Sequence, residues 1–486
     1  MRRSLIDVAT VCIVAIAVML VVHTGADPDL WGHLRFGADL LASGRLAAQD
    51  PYSFTSDIAW VNHEWLSELV FAFLYGHLGA IGINLFKAAI VGAIAFVVWS
   101  AVRREQATPF AATLLTALVV IVTSTRTQPI RPQLFSLLLF ALLVAAADRI
   151  ERGDRYAPFA LPLLFCVWAN AHGGWIVGLG ALTMWAVLTR RFLLVPLAAI
   201  GTLANPYGIG LWRFVYDTVG LARPDIADWK PLLRLPLPLV AVECLVPLVA
   251  VAAVWYTRRR PAPRHLAVLA VLAFGTIRVS RIDAFLQIAI VLICAPALAA
   301  AANAIDARLR RSGALTRPSF ASAATAAVLV AVSAGFTVAY LGRITVDGEW
   351  APDGDALHYI KDHMTHTRLV TWFDWGEYAI WHLSPNGIQV SMDGRRETVY
   401  SDRVLREHFA FYENRDADAW RYPDRIGADR AWLPKHLPVV NALRAHGWHT
   451  VFESPLSVVL VRDPASNQTA RLTTTHGRTR AEFPGP

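Results

Sequence analysis

Residues 27–44 read DPDLWGHLRFGADLLASG, residues 50–55 DPYSFT and residues 61–68 VNHEWLSE, and all lie between the first apolar block and the next. They set Asp27, Asp29, Asp50, His63, Glu64 and Glu68 beside tryptophans in an otherwise apolar chain. Carboxylates held at a membrane surface suit chemistry on a substrate whose other end lies in lipid.

The surrounding sequence is that of a polytopic membrane protein. Of 486 residues, 55% are hydrophobic, and the mean hydropathy is +0.42. The excess sits in repeated apolar blocks. The net charge of +8 comes from short arginine clusters between those blocks, so topology accounts for it better than a nucleic-acid partner. Cys12, Cys166, Cys244 and Cys294 all lie inside apolar blocks, which argues against a disulfide framework or a CxxC metal site. The N-terminal block lacks a clean small-residue cleavage site and reads as an uncleaved first span.

Eleven candidate spans follow: 8–22, 80–102, 109–123, 134–147, 158–169, 175–188, 192–203, 237–256, 266–277, 282–301 and 320–341. Several are shorter than the roughly 20 residues a crossing needs. The arginine clusters (Arg2/Arg3, Arg103/Arg104, Arg149/Arg152/Arg155, Arg190/Arg191, Arg258–Arg260 with Arg264, and Arg308/Arg310/Arg311) fall in every second gap. With those gaps cytoplasmic the positive-inside rule holds at each turn. The acidic loop (24–79) and everything after residue 341 then face outward from a bacterial inner membrane. The apolar segment 65–78 is expected to lie along the outer interface, because counting it as a crossing would invert the arginine pattern.

The expected fold class is therefore an α-helical polytopic membrane domain (1–341) followed by an extracytoplasmic α/β domain (342–465) and a disordered tail (466–486). The C-terminal region mixes strand-like runs (RLVTWF, IQVSM, LSVVLVR) with helical ones (GDALHYIKDHM, HLPVVNALRAHG).

Polar residues gather at the outer ends of the spans. Lys87 and Glu243 each lie roughly 10 Å below the outer surface at 1.5 Å per residue, so they are either functional or a structural Lys–Glu pair. Outer loops contribute Arg126 and Arg131 (TRTQPIRPQ), Asn170 and His172 (WANAHGG), Asn205 (NPYG), and Arg278, Arg281 and Asp283 (IRVSRID). Arginines facing outward run against the topological bias. They suit phosphate binding or an interfacial snorkel to headgroups. In the acidic loop Asp29 is either a helix N-cap or a general base; Asp50 is either a turn residue or, with His63 and Glu64, a second catalytic carboxylate or metal ligand; and Asn62 could cap the following helix, with Glu64 favoured by the dipole in its first turn. His33 and His63 are further candidates. The spacing is no metal signature; a divalent cation is the cofactor such acids could hold, and the metal stays unknown.

The layout resembles the GT-C superfamily of membrane glycosyltransferases, which includes protein mannosyltransferases, lipid A aminoarabinose transferases and oligosaccharyltransferases. The likeness rests on many spans, an acidic first outer loop with amphipathic helices, and an outward C-terminal domain. DPDLWGHLRFG, DPYSFT, NHEWLSE, RPQ at Arg131, NPYG at Asn205, DWGEYAIW at 374–381 and MDGRR at 392–396 look like a bacterial branch of it. The resemblance implies inverting transfer from a polyprenyl-phosphate sugar. Asp29 or Asp27 would activate an acceptor hydroxyl, and the lipid phosphate would be met by cations among Lys87, Arg126, Arg131, Arg278 and Arg281. The adjacent Asp-Glu or DxD pair of the best-known members is matched only by DPD. Asp374, Glu377, Asp393 and Arg395 would touch an acceptor, although Asp393-Gly394 also reads as a turn. Membrane lipid is a further expected partner, and the acceptor is open. The alternatives are a transporter or flippase of lipid-linked saccharide, which would want a polar lining through the bilayer, and a non-catalytic scaffold.

Overall fold

The computed structural model describes residues 8–221, 223, 226–311, 320–346, 353–463, 471–472 and 481–485. The chain divides into two compact units: Met1–Thr24 with Ile81–Gly342, and Gly25–Ala80 with Arg343–Pro486. The segment Gly25–Ala80 thus clusters with the C-terminal region, whereas the sequence reading groups it with the spans.

In the first unit all eleven apolar blocks form helix. Trp65–Arg104, Gln133–Glu151, Leu237–Thr257 and Ser322–Leu341 are long and apolar enough to cross a membrane, and Ser280–Ile293 with Ala295–Arg311 forms a fifth such element bent by 73°. Val8–Val22, Pro109–Val122, Ala157–Ala171, Trp175–Leu188 and Leu194–Leu203 are shorter. By length and composition, four or five helices among the described residues meet the measure of a span, fewer than the eleven blocks. Side chains such as Leu193 (84% exposed) and Val338 (82%) find no protein cover, as expected of surface that faces lipid.

Helix Gln133–Glu151 shows how polar groups sort to its two ends, which lie about 28 Å apart at 1.5 Å per residue. At one end Glu151 accepts hydrogen bonds from Trp185, Arg264 and His265, while Arg152 meets Glu105 at 2.7 Å and Arg104 meets Asp148 at 3.6 Å. Three of the arginine-rich gaps therefore come together at one end of the unit. Arg126, Arg131 and Asp283 occupy the other end.

The run Trp65–Arg104 is broken at Gly79 (φ 58°, ψ −146°), the place where the surface segment is expected to give way to a span. Only glycine adopts this backbone at little cost.

The second unit is built on a six-stranded sheet of β3 (Arg368–Thr371), β4 (Gln389–Val390), β5 (Arg430–Pro434), β6 (His449–Glu453), β7 (Ser457–Val461) and β8 (Arg471–Leu472), in the order β4-β3-β5-β7-β6-β8. β3 runs parallel to β4 and β5, and β7 is antiparallel to β5 and β6. All five residues of β7 are buried, as a central strand requires. Helices Gly354–His363 and Asp402–Tyr412 begin on real caps, since Asp353 accepts from the Ala356 amide and Ser401 from that of Val404. The core joins Val370, Leu433, Val440, Leu443, Val458 and Leu460 to Phe411, Tyr412 and Tyr422.

The DPYSFT loop extends this sheet along the edge of β4. The Val390 amide donates to Tyr52 O at 3.0 Å, and the Phe54 amide to Val390 O at 3.2 Å. A second, three-stranded sheet holds β1 (Gly25–Ala26), β2 (Thr345–Val346) and β9 (Ala481–Glu482). Its third strand corrects the expectation of a wholly disordered tail. The Trp31 indole donates to Pro484 O at 2.8 Å, and Phe483 packs on Trp31. Of that tail, residues 466–470, 473–480 and 486 lie outside the described residues.

Candidate functional site

Helix Leu30–Ser43 starts directly after DPD and ends on Gly44 in the left-handed region (φ 64°). Asp29 stands at its N-cap position, yet its carboxylate makes no capping hydrogen bond. Instead Asp29 Oδ1 lies 2.3 Å from where a Cβ on Gly394 would stand, and Glu377 Oε1 lies 3.0 Å from the same point. On the other side, Glu377 Oε2 lies 2.0 Å from the Cβ position of Gly32. The glycines of DLWG and MDGRR are therefore the gaps into which these two carboxyl groups fit. Asp27, 5% exposed, and Asp393, fully buried, complete an acid-rich corner drawn from both ends of the chain.

Glu377 is itself 3% exposed, and no group hydrogen-bonds its Oε2. Burial first, then the charges of Asp29, Asp393 and Asp27, push its carboxyl well above the ordinary range. Asp393 goes the other way. Burial opposes its charge, but Arg395 and hydrogen bonds from Arg395 and Tyr400 hold it below the usual value.

Arg395 is the hub beneath this corner. It donates to both oxygens of Asp393 (2.8 and 2.7 Å) and to both oxygens of Asp50 (2.8 Å each). Its guanidinium lies 4.8 Å from the ring centroids of Phe36 and Trp60 and 5.5 Å from that of Tyr52. Asp50 also accepts from the Tyr52 and Ser53 amides, so its carboxylate is fully engaged in structure. Its expected role as a second catalytic acid does not fit that saturation. A turn residue and an ion-pair anchor are combined in one side chain.

His33, one turn past Asp29, meets Glu68 at 3.3 Å. Burial works against its charge, but the hydrogen bond to Glu68 and the charges of Glu64, Glu68 and Asp29 together raise it to about 9. Asn62 donates to the other oxygen of Glu68 at 2.5 Å and accepts from the Glu64 amide at 3.2 Å, an Asx turn ahead of the helix that starts at Trp65. His63 and Glu64 lie 3.7 Å apart and both are only half-buried. Among the described residues no three His, Cys, Asp or Glu side chains are arranged to hold a metal ion.

Within the first unit, Lys87 and Glu243 do not form the Lys–Glu pair that matched depth suggests. Lys87 donates to His23 O at 2.7 Å, and Glu243 accepts from Gln287 at 3.2 Å. Equal depth fixes height in the bilayer but not position around the bundle. Arg126 chelates Asp283 (3.0 and 2.9 Å) and meets Asp228 at 2.6 Å, while Arg131 meets Asp228 at 2.7 Å. Asp228 is a partner the sequence reading missed, for lack of any motif around it. Arg281 adds its charge near Asp228, and Arg278 lies over Phe274 at 5.6 Å. His172 accepts from the Gly174 amide and is hydrogen-bonded to Ser136 at 2.6 Å. Asn205 closes a turn by accepting from the Tyr207 amide at 2.7 Å. Both are occupied by local structure.

No protein-family model and no curated protein sequence matches the chain. Solved structures do. The apo oligosaccharyltransferase of Archaeoglobus fulgidus superposes with a TM-score of 0.55 at 12% identity, over 88% of this chain and 69% of that one. ArnT from Cupriavidus metallidurans, bound to undecaprenyl phosphate, gives 0.55 at 15% identity over 96% and 98%. A mutant of the mycobacterial arabinofuranosyltransferase AftD gives 0.51 at 16% over 95% and 42%. The chain is similar in fold to these membrane glycosyltransferases. With its long apolar helices, it is an integral membrane protein.

Proposed function

We propose that the protein is an inverting GT-C-type glycosyltransferase of a bacterial inner membrane, moving a sugar from a polyprenyl-phosphate donor to an extracytoplasmic acceptor. The observation that carries this reading is Asp29. On a GT-C fold, at the start of the first outer helix, its carboxylate is not spent on capping and sits in a corner shaped by two glycines.

In the proposed step Asp29 takes the proton of an acceptor hydroxyl as that oxygen attacks the anomeric carbon. The bond from that carbon to the phosphate oxygen breaks, the configuration inverts, and the lipid phosphate leaves as an anion. Asp27 is the second candidate for the base. A lipid phosphate is proposed to meet cations among Lys87, Arg131, Arg278 and Arg281, on their chemistry alone. Arg126 is assigned to holding Asp283 and Asp228. Support for the donor class comes from the ArnT structure, which holds undecaprenyl phosphate, and for an acceptor from a second Archaeoglobus structure, tethered to a peptide with the NVT sequon.

The test is Asp29→Asn in purified, detergent-solubilised protein supplied with polyprenyl-phosphate sugars and candidate acceptors. Transfer should drop by about 100-fold or more, the usual weight of a general base, with an unchanged melting temperature. Full transfer by that variant ends the assignment.

A further inference from the structure

An ionised Glu377 would be costly where it stands. It begins helix Gly376–Leu383, which packs against helix Leu30–Ser43, and it is closed off by Gly32. The charged groups that face it are Asp27 and Asp29 from the first loop and Asp393 and Arg395 from the MDGRR loop. Of these, Arg395 is the cation, and four of its five N–H donors are taken by Asp393 and Asp50. A further anion whose Oε2 has no hydrogen-bond donor, placed among three others, lacks the compensation that keeps buried charges tolerable. The group nevertheless lies beside Asp29, with both carboxyl groups reaching the same point next to Gly394.

We propose that Glu377 carries a proton at neutral pH and serves as the uncharged partner of Asp29, so that the pair bears one negative charge and Asp29 holds it. This rests on the reading of Asp29 as the base and deepens it. Glu377 is then a positioning residue. It fills the space between Gly32 and Gly394, fixing the Asp29 carboxylate against the loop, without competing for the acceptor proton. Were Glu377 to ionise, the added charge would raise the proton affinity of Asp29 and push the two groups apart. Carboxyl pairs whose surroundings separate their protonation in this way recur in acid–base sites.

Infrared spectroscopy and a pH–rate profile on the full chain in detergent test this together. At pH 7 wild type should show a protonated-carboxyl band that Glu377→Gln removes and Asp29→Asn retains. Glu377→Gln, neutral at every pH, should transfer within about threefold of wild type at pH 7 and lack wild type's decline at alkaline pH. Should the glutamine variant fail to fold, Glu377→Met removes the same carboxyl with an apolar chain of similar length. An identical band in wild type and variant, or an alkaline decline that persists unchanged in the variant, overturns the proposal. Those results leave the Asp29 assignment standing, whereas an active Asp29→Asn variant removes that assignment whatever the spectrum shows.

Discussion

Arg395 and Asp50, 345 positions apart in the chain, face each other with two parallel hydrogen bonds of 2.8 Å inside a wall of Phe36, Tyr52 and Trp60. Breaking such a buried pair from one side costs about 3–5 kcal/mol, because the remaining charge stays buried. Arg395→Met should therefore lower the thermal stability of the protein sharply, with activity lost in proportion to unfolding. A melting temperature equal to wild type would show that the pair is not structural.

Gly32→Ala and Gly394→Ala should both impair transfer, since the added methyl would meet Glu377 Oε2 at 2.0 Å or Asp29 Oδ1 at 2.3 Å. Overpacking of this kind typically costs about 1–3 kcal/mol. Gly25→Ala is the control, with nothing within 4 Å of its Cβ position. Equal transfer rates for all three variants would disprove the crowding.

His33 gives a pH dependence of definite sign. Its charged form is favoured in the folded state, with a value near 9 against 6.5 when unfolded. The stabilisation it brings is fully present below pH 6.5 and is lost as pH rises through 9, on the order of 3 kcal/mol in all. Chemical denaturation of wild type and His33→Gln should show a stability gap at pH 6 that closes by pH 10. A gap that widens with pH would reverse the assignment.

Arg126 and Arg131 should behave differently. Arg126→Gln strands Asp283, which is fully buried, and should destabilise by about 3–5 kcal/mol. Arg131→Gln leaves Asp228, a quarter exposed, still paired with Arg126, and should cost about 1 kcal/mol or less. Thermal melts of the two variants decide the order, and equal losses would contradict it.

What the sequence disclosed follows from the range of the interactions concerned. The apolar blocks became helices because backbone in such runs has few other ways to satisfy itself, and the break at Gly79 was visible as the end of one pattern and the start of another. Asp29 stood out for its neighbours in DPDLWG. The number of crossings was not legible, since blocks of 10–15 residues are too short to declare themselves. Glu377 reads from the sequence as an acceptor contact and not as the neighbour of Asp29, because that pairing lies in Gly32, Asp29 and Gly394, which local pattern cannot bring together. Asp228 had no signature at all. The strand at Ala481–Glu482 was hidden by the polar stretch before it, though Phe483 in FPGP was a lone apolar hint.

The discontinuity of the second unit bears on how the protein is made. Its first segment leaves the ribosome well before its last, and Asp50 must wait for Arg395 while 345 residues are added. At roughly 5–20 residues per second that delay is on the order of 20–70 s. During it the Phe36, Tyr52 and Trp60 wall and the strand edge at DPYSFT have no permanent cover. Until Arg395 is made, that wall and that edge lack the partners the finished fold gives them.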